Sequence, residues 1–168
     1  MNHAARHLTV AASLLLAATC AIAGPVNFER EATIDSEPET VWKFVGDFNA
    51  MDVWHPSVLS SKLEGKAKAS APGATRVLKL VGGGEMTEKL VKYNVAQKTY
   101  TWSGVKSPLP VKSWQGTIAL TPAADGKTVM KWSIAFEPNP GMDEDIATEV
   151  VAIAIDGGLG KVVANFKR

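Results

Sequence analysis

The sequence predicts an α+β fold in which an antiparallel meander of seven strands packs on one long C-terminal helix. Two observations point there. Seven stretches alternate apolar and polar residues with the period of a strand, and turn-forming segments separate the last six. The final stretch, Met142 to about Phe166, has no proline. It carries Asp143, Glu144 and Asp145 at its start and Lys161, Lys167 and Arg168 near its end, charges that suit a helix dipole at both ends.

The first strand runs from Val26 to Asp35, with Val26, Phe28, Ala32 and Ile34 on one side and Asn27, Glu29, Glu31 and Thr33 on the other. Ser36-Glu37-Pro38-Glu39 then opens a helix, with Ser36 or Glu37 at the cap, Pro38 in the first turn and Glu39 where a carboxylate favours the dipole. Val41, Trp42, Phe44 and Val45 form its apolar side, and Gly46 and Asn49 break it. A second short helix covers Ala50 to Trp54, and Pro56 ends it by disfavouring a helical residue before it. Strands follow at Ser57–Gly65, Thr75–Val81, Met86–Val95, Thr99–Val105, Lys112–Thr121 and Thr128–Glu137. Their separators include Ala71-Pro72-Gly73, Gly82-Gly83-Gly84, Ser107-Pro108-Leu109-Pro110 and Ala124-Asp125-Gly126.

Residues 1–23 read as a secretory signal peptide: a weakly basic head, an apolar run from Leu8 to Ala18, and the small-x-small site Ala21-Ile22-Ala23. Thr19 and Ala17 fit a lipobox around Cys20 poorly. Residues 24–168 are then one mature domain, expected in the periplasm or secreted, with no stable membrane anchor. Cleavage removes Arg6 and leaves 17 basic against 17 acidic residues, a formal charge of zero that argues against nucleic acid or an anionic membrane as main partner. Cys20, His3 and His7 leave too, so no thiol remains and His55 stands alone. That excludes a cysteine nucleophile and a Cys or multi-His zinc site, and no metal or other cofactor is expected. There is no Gly-x-Ser-x-Gly elbow, and Val81-Gly82-Gly83-Gly84-Glu85 lacks the Gly-Lys-Ser/Thr ending of a phosphate loop.

The Pro38-Glu39-Thr40-Val41-Trp42 helix start, the Asp47-Phe48-Asn49 break, Val53-Trp54-His55-Pro56 and the element order together resemble the START-like, or polyketide cyclase/dehydrase (SRPBCC), superfamily. The resemblance implies a helix-grip fold: a curved seven-stranded sheet wrapped round the C-terminal helix, with two short helices after the first strand, enclosing a cavity for an apolar molecule. With the Pro108-Leu109-Pro110-Val111-Lys112 turn, the chain looks most like exported accessory proteins of the MxaD type. These imply a role beside a periplasmic dehydrogenase and its cytochrome.

Strand alternation groups the cavity candidates. Tyr100 and Trp102 share a face, as do Trp114, Gly116 and Ile118; Trp132, Ile134 and Phe136; and Met86, Glu88 and Leu90. The aromatics either line a cavity or fill the core. Val150, Ala154, Gly157, Gly158 and Lys161 follow helical steps, and each interior glycine costs about 1 kcal/mol relative to alanine. Missing side chains would leave room for a ligand, the reading preferred here; close approach of an aromatic, or a kink, is the alternative. An inward Glu88 must be paired, by Arg76, Lys79, Lys112, Lys161 or His55, or take up a proton; otherwise it sits at a solvated strand end. In plant hormone receptors of the superfamily a glutamate on the matching strand reaches ligand through water, and gate and latch loops occupy the turns at Val81–Gly84 and Ser107–Pro110. Trp54, His55 and Leu109 are placed at the rim.

The expected function is non-enzymatic: binding of a small apolar or amphipathic molecule, help to an exported protein partner, or both. The alternative is a cyclase/dehydrase-like enzyme with His55 and Glu88 as proton carriers. A lone histidine is more often a rim or capping residue.

Overall fold

The computed structural model describes residues 24–167, so the expected signal peptide lies outside the described residues. The chain runs β1 (Val26–Ile34), α1 (Pro38–Val45), α2 (Met51–Trp54), β2 (Val58–Glu64), β3 (Thr75–Leu80), β4 (Glu85–Asn94), β5 (Thr99–Lys106), β6 (Val111–Pro122), β7 (Thr128–Pro138) and α3 (Glu144–Asn165). All seven strands form one antiparallel sheet in the order β1-β7-β6-β5-β4-β3-β2, curved round α3. Strands β2 to β7 are a plain meander, while β1 crosses to pair with β7. The two edges are therefore β1 and β2.

Local chemistry explains the breaks. Pro38 occupies the first turn of α1, where a missing N–H costs nothing. In the segment after α1, the Asp47 carboxylate accepts the Asn49 N–H at 2.8 Å, an Asx turn that re-aims the chain into α2. Gly82, Gly83 and Gly84 all have positive φ, which lets β3 fold tightly back into β4. Asp143 caps α3 by accepting the Asp145 and Ile146 N–H groups at 2.9 and 3.1 Å.

Helix α3 buries Ala147, Val151, Ile155, Gly158, Leu159 and Val162, the stripe of a 3.6-residue period. The sheet answers with buried Leu78, Leu90, Tyr100, Trp102, Trp114, Ile118, Trp132 and Phe136. Two of the tryptophans interlock. Trp102 of β5 lies opposite Gly116 of β6, and a Cβ on Gly116 would stand only 2.4 Å from its ring. Two residues along each strand, Trp114 lies on Gly104, where a Cβ would come within 2.2 Å. Each strand thus supplies one indole and one bare backbone position, in the order Trp-x-Gly.

Adding side-chain bulk at either glycine would force an indole out of place. Gly116→Val should cost about 2–3 kcal/mol and lower the melting temperature by several degrees. An unchanged thermal denaturation curve would mean that the indole is not held there.

Candidate functional site

Trp102 and Trp114 converge because each ring lies over a glycine of the neighbouring strand, and both indole N–H groups point at one carboxylate. Glu88, in β4, stands opposite Arg76 of β3 and Gly104 of β5. Its Oε1 accepts from Trp102 Nε1 at 2.8 Å and Trp114 Nε1 at 3.1 Å. Its Oε2 accepts from Arg76 Nε at 2.9 Å and Nη2 at 2.6 Å. Four N–H donors therefore hold one buried carboxylate, and the solvated strand end once open to Glu88 is ruled out. Of its candidate partners the structure selects Arg76.

Arg76 is fully buried and equally committed. Its Nη1 donates to the Phe48 carbonyl and its Nη2 contacts Met51 Sδ at 3.4 Å. The guanidinium lies over the Phe48 ring, 4.1 Å from its centroid. The Asp47-Phe48-Asn49 break serves this contact: the Asx turn presents both the carbonyl and the ring of Phe48 to Arg76, and Asn49 accepts from Ser61 Oγ at 3.1 Å.

His55 follows α2 and reaches the last helix. Its Nδ1 accepts the Ser57 N–H at 3.1 Å, so that nitrogen is unprotonated, and the proton sits on Nε2, which donates to the Ala154 carbonyl at 2.9 Å. The ring is buried between Trp54 and Trp132, with centroids 5.9 and 5.8 Å away. Burial holds its pKa below the usual histidine value of 6.5, more strongly than the Ala154 bond and the Glu88 charge raise it; Arg76 lowers it further.

Above these groups lies a cavity of about 290 Å³. Glu88, Trp102, Trp114, Trp132 and Ile134 form its floor; Met51, His55 and Val58 one wall; Val150, Val151, Ala154 and Ile155 of α3 its roof. Val81 and Ile153 line it yet are 55% and 66% exposed, which marks the mouth. Leu109 is there too, and Pro108 packs on Gly84, so the turns at Val81–Gly84 and Ser107–Pro110 meet at the opening.

Eight of the candidate residues surround this space: His55, Glu88, Trp102, Leu109, Trp114, Trp132, Val150 and Ala154. Trp54 and Tyr100 do not; both are fully buried in the core, and Tyr100 donates its hydroxyl to the Val45 carbonyl at 3.3 Å. The helix glycines also need correction. A Cβ on Gly158 would stand 2.7 Å from Trp132 and 2.8 Å from His55, so its bare backbone admits an aromatic, not a ligand. Gly157 meets only Pro56, at 3.5 Å, and Lys161 is exposed. Val150, Ala154, Gly157 and Lys161 do share one side of the helix, but the cavity reaches along it only as far as Ala154 and Ile155, so the later members lie beyond it. Met86, grouped with Glu88 by alternation, lines the wall as expected, whereas Leu78, Leu80 and Val111 escaped notice, being unremarkable members of alternating strands. The repeated Trp-x-Gly was the available signal for the tryptophan pair.

Two predictions follow from this wiring. Arg76→Met should cost about 3–5 kcal/mol, because it strands a buried carboxylate, while adding Glu88→Leu to it should cost clearly less than the two single changes summed. Additive denaturation energies would contradict the pairing. Because the folded His55 prefers its neutral form, stability should be fully present above pH 6.5 and fall as pH drops below it, at up to about 1.4 kcal/mol per pH unit. His55→Gln should flatten that limb between pH 6.5 and 5; an unchanged slope in urea titrations would count against it.

The comparisons agree with this geometry. The family described as polyketide cyclase / dehydrase and lipid transport matches residues 25–168. No curated protein matches the chain in sequence. Among solved structures, the protein XoxI from Bacillus cereus is 26% identical with a TM-score of 0.76, the match covering 83% of this chain and 94% of that one. A Bacillus thuringiensis protein is 25% identical with a TM-score of 0.77, covering 84% and 98%. A Thermobifida fusca protein is 25% identical with a TM-score of 0.71, covering 83% and 92%. Over essentially all its described length, the chain belongs to the polyketide cyclase/dehydrase and lipid transport family.

Proposed function

We propose that this is an exported, non-enzymatic protein that binds one small apolar or amphipathic molecule in the cavity and serves an exported protein partner. One observation carries the cargo reading. The cavity walls are overwhelmingly aliphatic and aromatic, and the two bordering groups that could carry a proton already have partners: Glu88 accepts four hydrogen bonds and His55 uses both ring nitrogens. A proton carrier must have a lone pair or a proton free to reach substrate. Here both candidates for that role are spent on the fold, which weighs against the cyclase/dehydrase chemistry.

Apolar transfer then supplies the affinity, at about 25 cal/mol for each Å² removed from water. The volume lies at the small end of known ligand pockets, which start at about 300 Å³. A compact molecule of up to three rings suits it better than a long lipid chain. Export is supported by the Leu8–Ala18 apolar run and Ala21-Ile22-Ala23.

The neutral probe N-phenyl-1-naphthylamine tests the cargo reading. Fluorescence enhancement, with quenching of the tryptophans, is expected for the mature protein. Ala154→Leu and Ile134→Phe, which add bulk inside the cavity, should each weaken binding about tenfold or more while leaving the far-ultraviolet circular dichroism unchanged. Wild-type protein that fails to bind the probe, or filled variants that bind equally well, would overturn it.

A further inference from the structure

A formal charge of zero conceals a division of the molecule. Residues 58–106, which make up β2 to β5 and their turns, carry nine basic side chains and three acidic ones. The remainder from residue 24 carries eight basic and fourteen acidic. One half is thus +6 and the other −6.

Seven of these nine basic side chains, with the two carboxylates Glu64 and Glu85, lie on the outer side of this half. Leu78, Glu88, Leu90 and Trp102 point to the concave, buried side of β3, β4 and β5, so alternation sends Lys79 and Lys89 to the convex side. The register extends the set. Lys62 pairs with Val77, Val77 with Thr87, and Thr87 with Lys106, a row across four strands about 14 Å wide. Lys89 lies opposite Thr75 and Ser103, and Lys92 opposite Thr101. Lys66 and Lys68 continue the patch in the β2–β3 loop. All seven lysines are exposed, and among the described residues none forms a salt bridge. Lys98, at the β4–β5 turn of the same half, pairs with Glu39, and in the other half Arg30, Lys112 and Lys131 are paired with carboxylates while, among the described residues, Lys43, Lys127 and Lys161 are not.

We propose that the convex face of β2 to β5 is a docking surface for the acidic face of a second, different protein. It deepens the partner half of the function proposed above and is independent of the cargo. The chemistry favours a protein over a polyanion. The cations are lysines, compact and strongly hydrated point charges on flexible stems suited to steering an encounter, whereas phosphate recognition favours the planar fork of arginine. The one arginine of this half, Arg76, is buried on the other side. The exposed apolar residues among the lysines are Leu59, Val91, Val95 and Val105, with no tryptophan or phenylalanine to enter a bilayer. A second copy is a poor match. The acidic residues of the other half are scattered over α1, β1, β7 and α3 and partly closed in ion pairs, and a contact between unlike halves would propagate without closing. The cavity mouth at Val81 and Ile153 belongs to the concave side, so a docked partner leaves it open.

Zero-length carbodiimide coupling joins lysines directly to carboxylates and so tests the face itself. The mature protein would be coupled in the exported fraction of its own cells, its linked lysines mapped by mass spectrometry, and the captured protein purified for titration. Links from Lys62, Lys79, Lys89, Lys92 or Lys106 to aspartates and glutamates of one other protein are expected, and they should disappear at high salt. The triple variant Lys79→Glu/Lys89→Glu/Lys92→Glu should weaken binding of that purified protein about tenfold or more, while Lys127→Glu/Lys161→Glu does not. Absence of links, links through lysines outside this face, links between two copies of the chain, or an unaffected triple variant would each overturn the proposal. So would equal lysine dependence for vesicles containing anionic phospholipid or for duplex DNA. Binding of N-phenyl-1-naphthylamine by the triple variant reports on the cavity separately, so loss of docking and loss of cargo remain distinguishable.

Discussion

A single buried carboxylate organises this molecule. Taking one ion out of water costs several kcal/mol, and only close opposite charge with further hydrogen bonds offsets it. Glu88 obtains both, from Arg76 on one side and two indoles on the other. Because those donors come from β3, β5 and β6, the carboxylate ties together the central strands of the sheet. Arg76 extends the tie to the segment between α1 and α2 through Phe48 and Met51. Removing any one member leaves a polar group unpaired in a dry interior, so the network works as a unit.

The same network decides what the cavity is. Trp102 and Trp114 are pulled flat against Gly116 and Gly104 to reach Glu88, which keeps their rings in the floor and out of the space above. Trp132 is held at the other end by Gly158, His55 and Trp54. The Nε1 atoms of Trp54 and Trp132 are buried without a hydrogen-bond partner, an expense on the order of 1–3 kcal/mol each that edge-to-face packing and aromatic burial offset. Tryptophan here is both core and cavity wall, and the two readings of the aromatic stripes were never exclusive.

His55 closes the arrangement from the helix side. By holding the Ala154 carbonyl it fixes α3 to the loop after α2, at the boundary of the cavity. Its role is positional, and the Trp-His-Pro step that looked like a rim motif is a clasp between two elements ninety-nine residues apart in the chain.

Much of this was legible in the sequence, and for identifiable reasons. Alternation in Tyr100–Trp102 and Met86–Glu88–Leu90 reported the inward face, because side-chain direction in a strand follows from covalent geometry alone. Turns at Gly82–Gly84 and the capped start of α3 were equally local. The balance of charge was legible in total but not in distribution, since only the register gathers Lys62, Lys89 and Lys106 onto one face. Whether Glu88 pairs with Arg76 or Lys161, and whether Gly158 faces a ligand or Trp132, depended on contacts between residues far apart in the chain. The sequence by itself determined the elements, their order and which side of each strand is buried. Only the tertiary structure decided which buried groups meet, because antiparallel register and the rotation of α3 are set by packing the whole sheet at once, and no single segment encodes them.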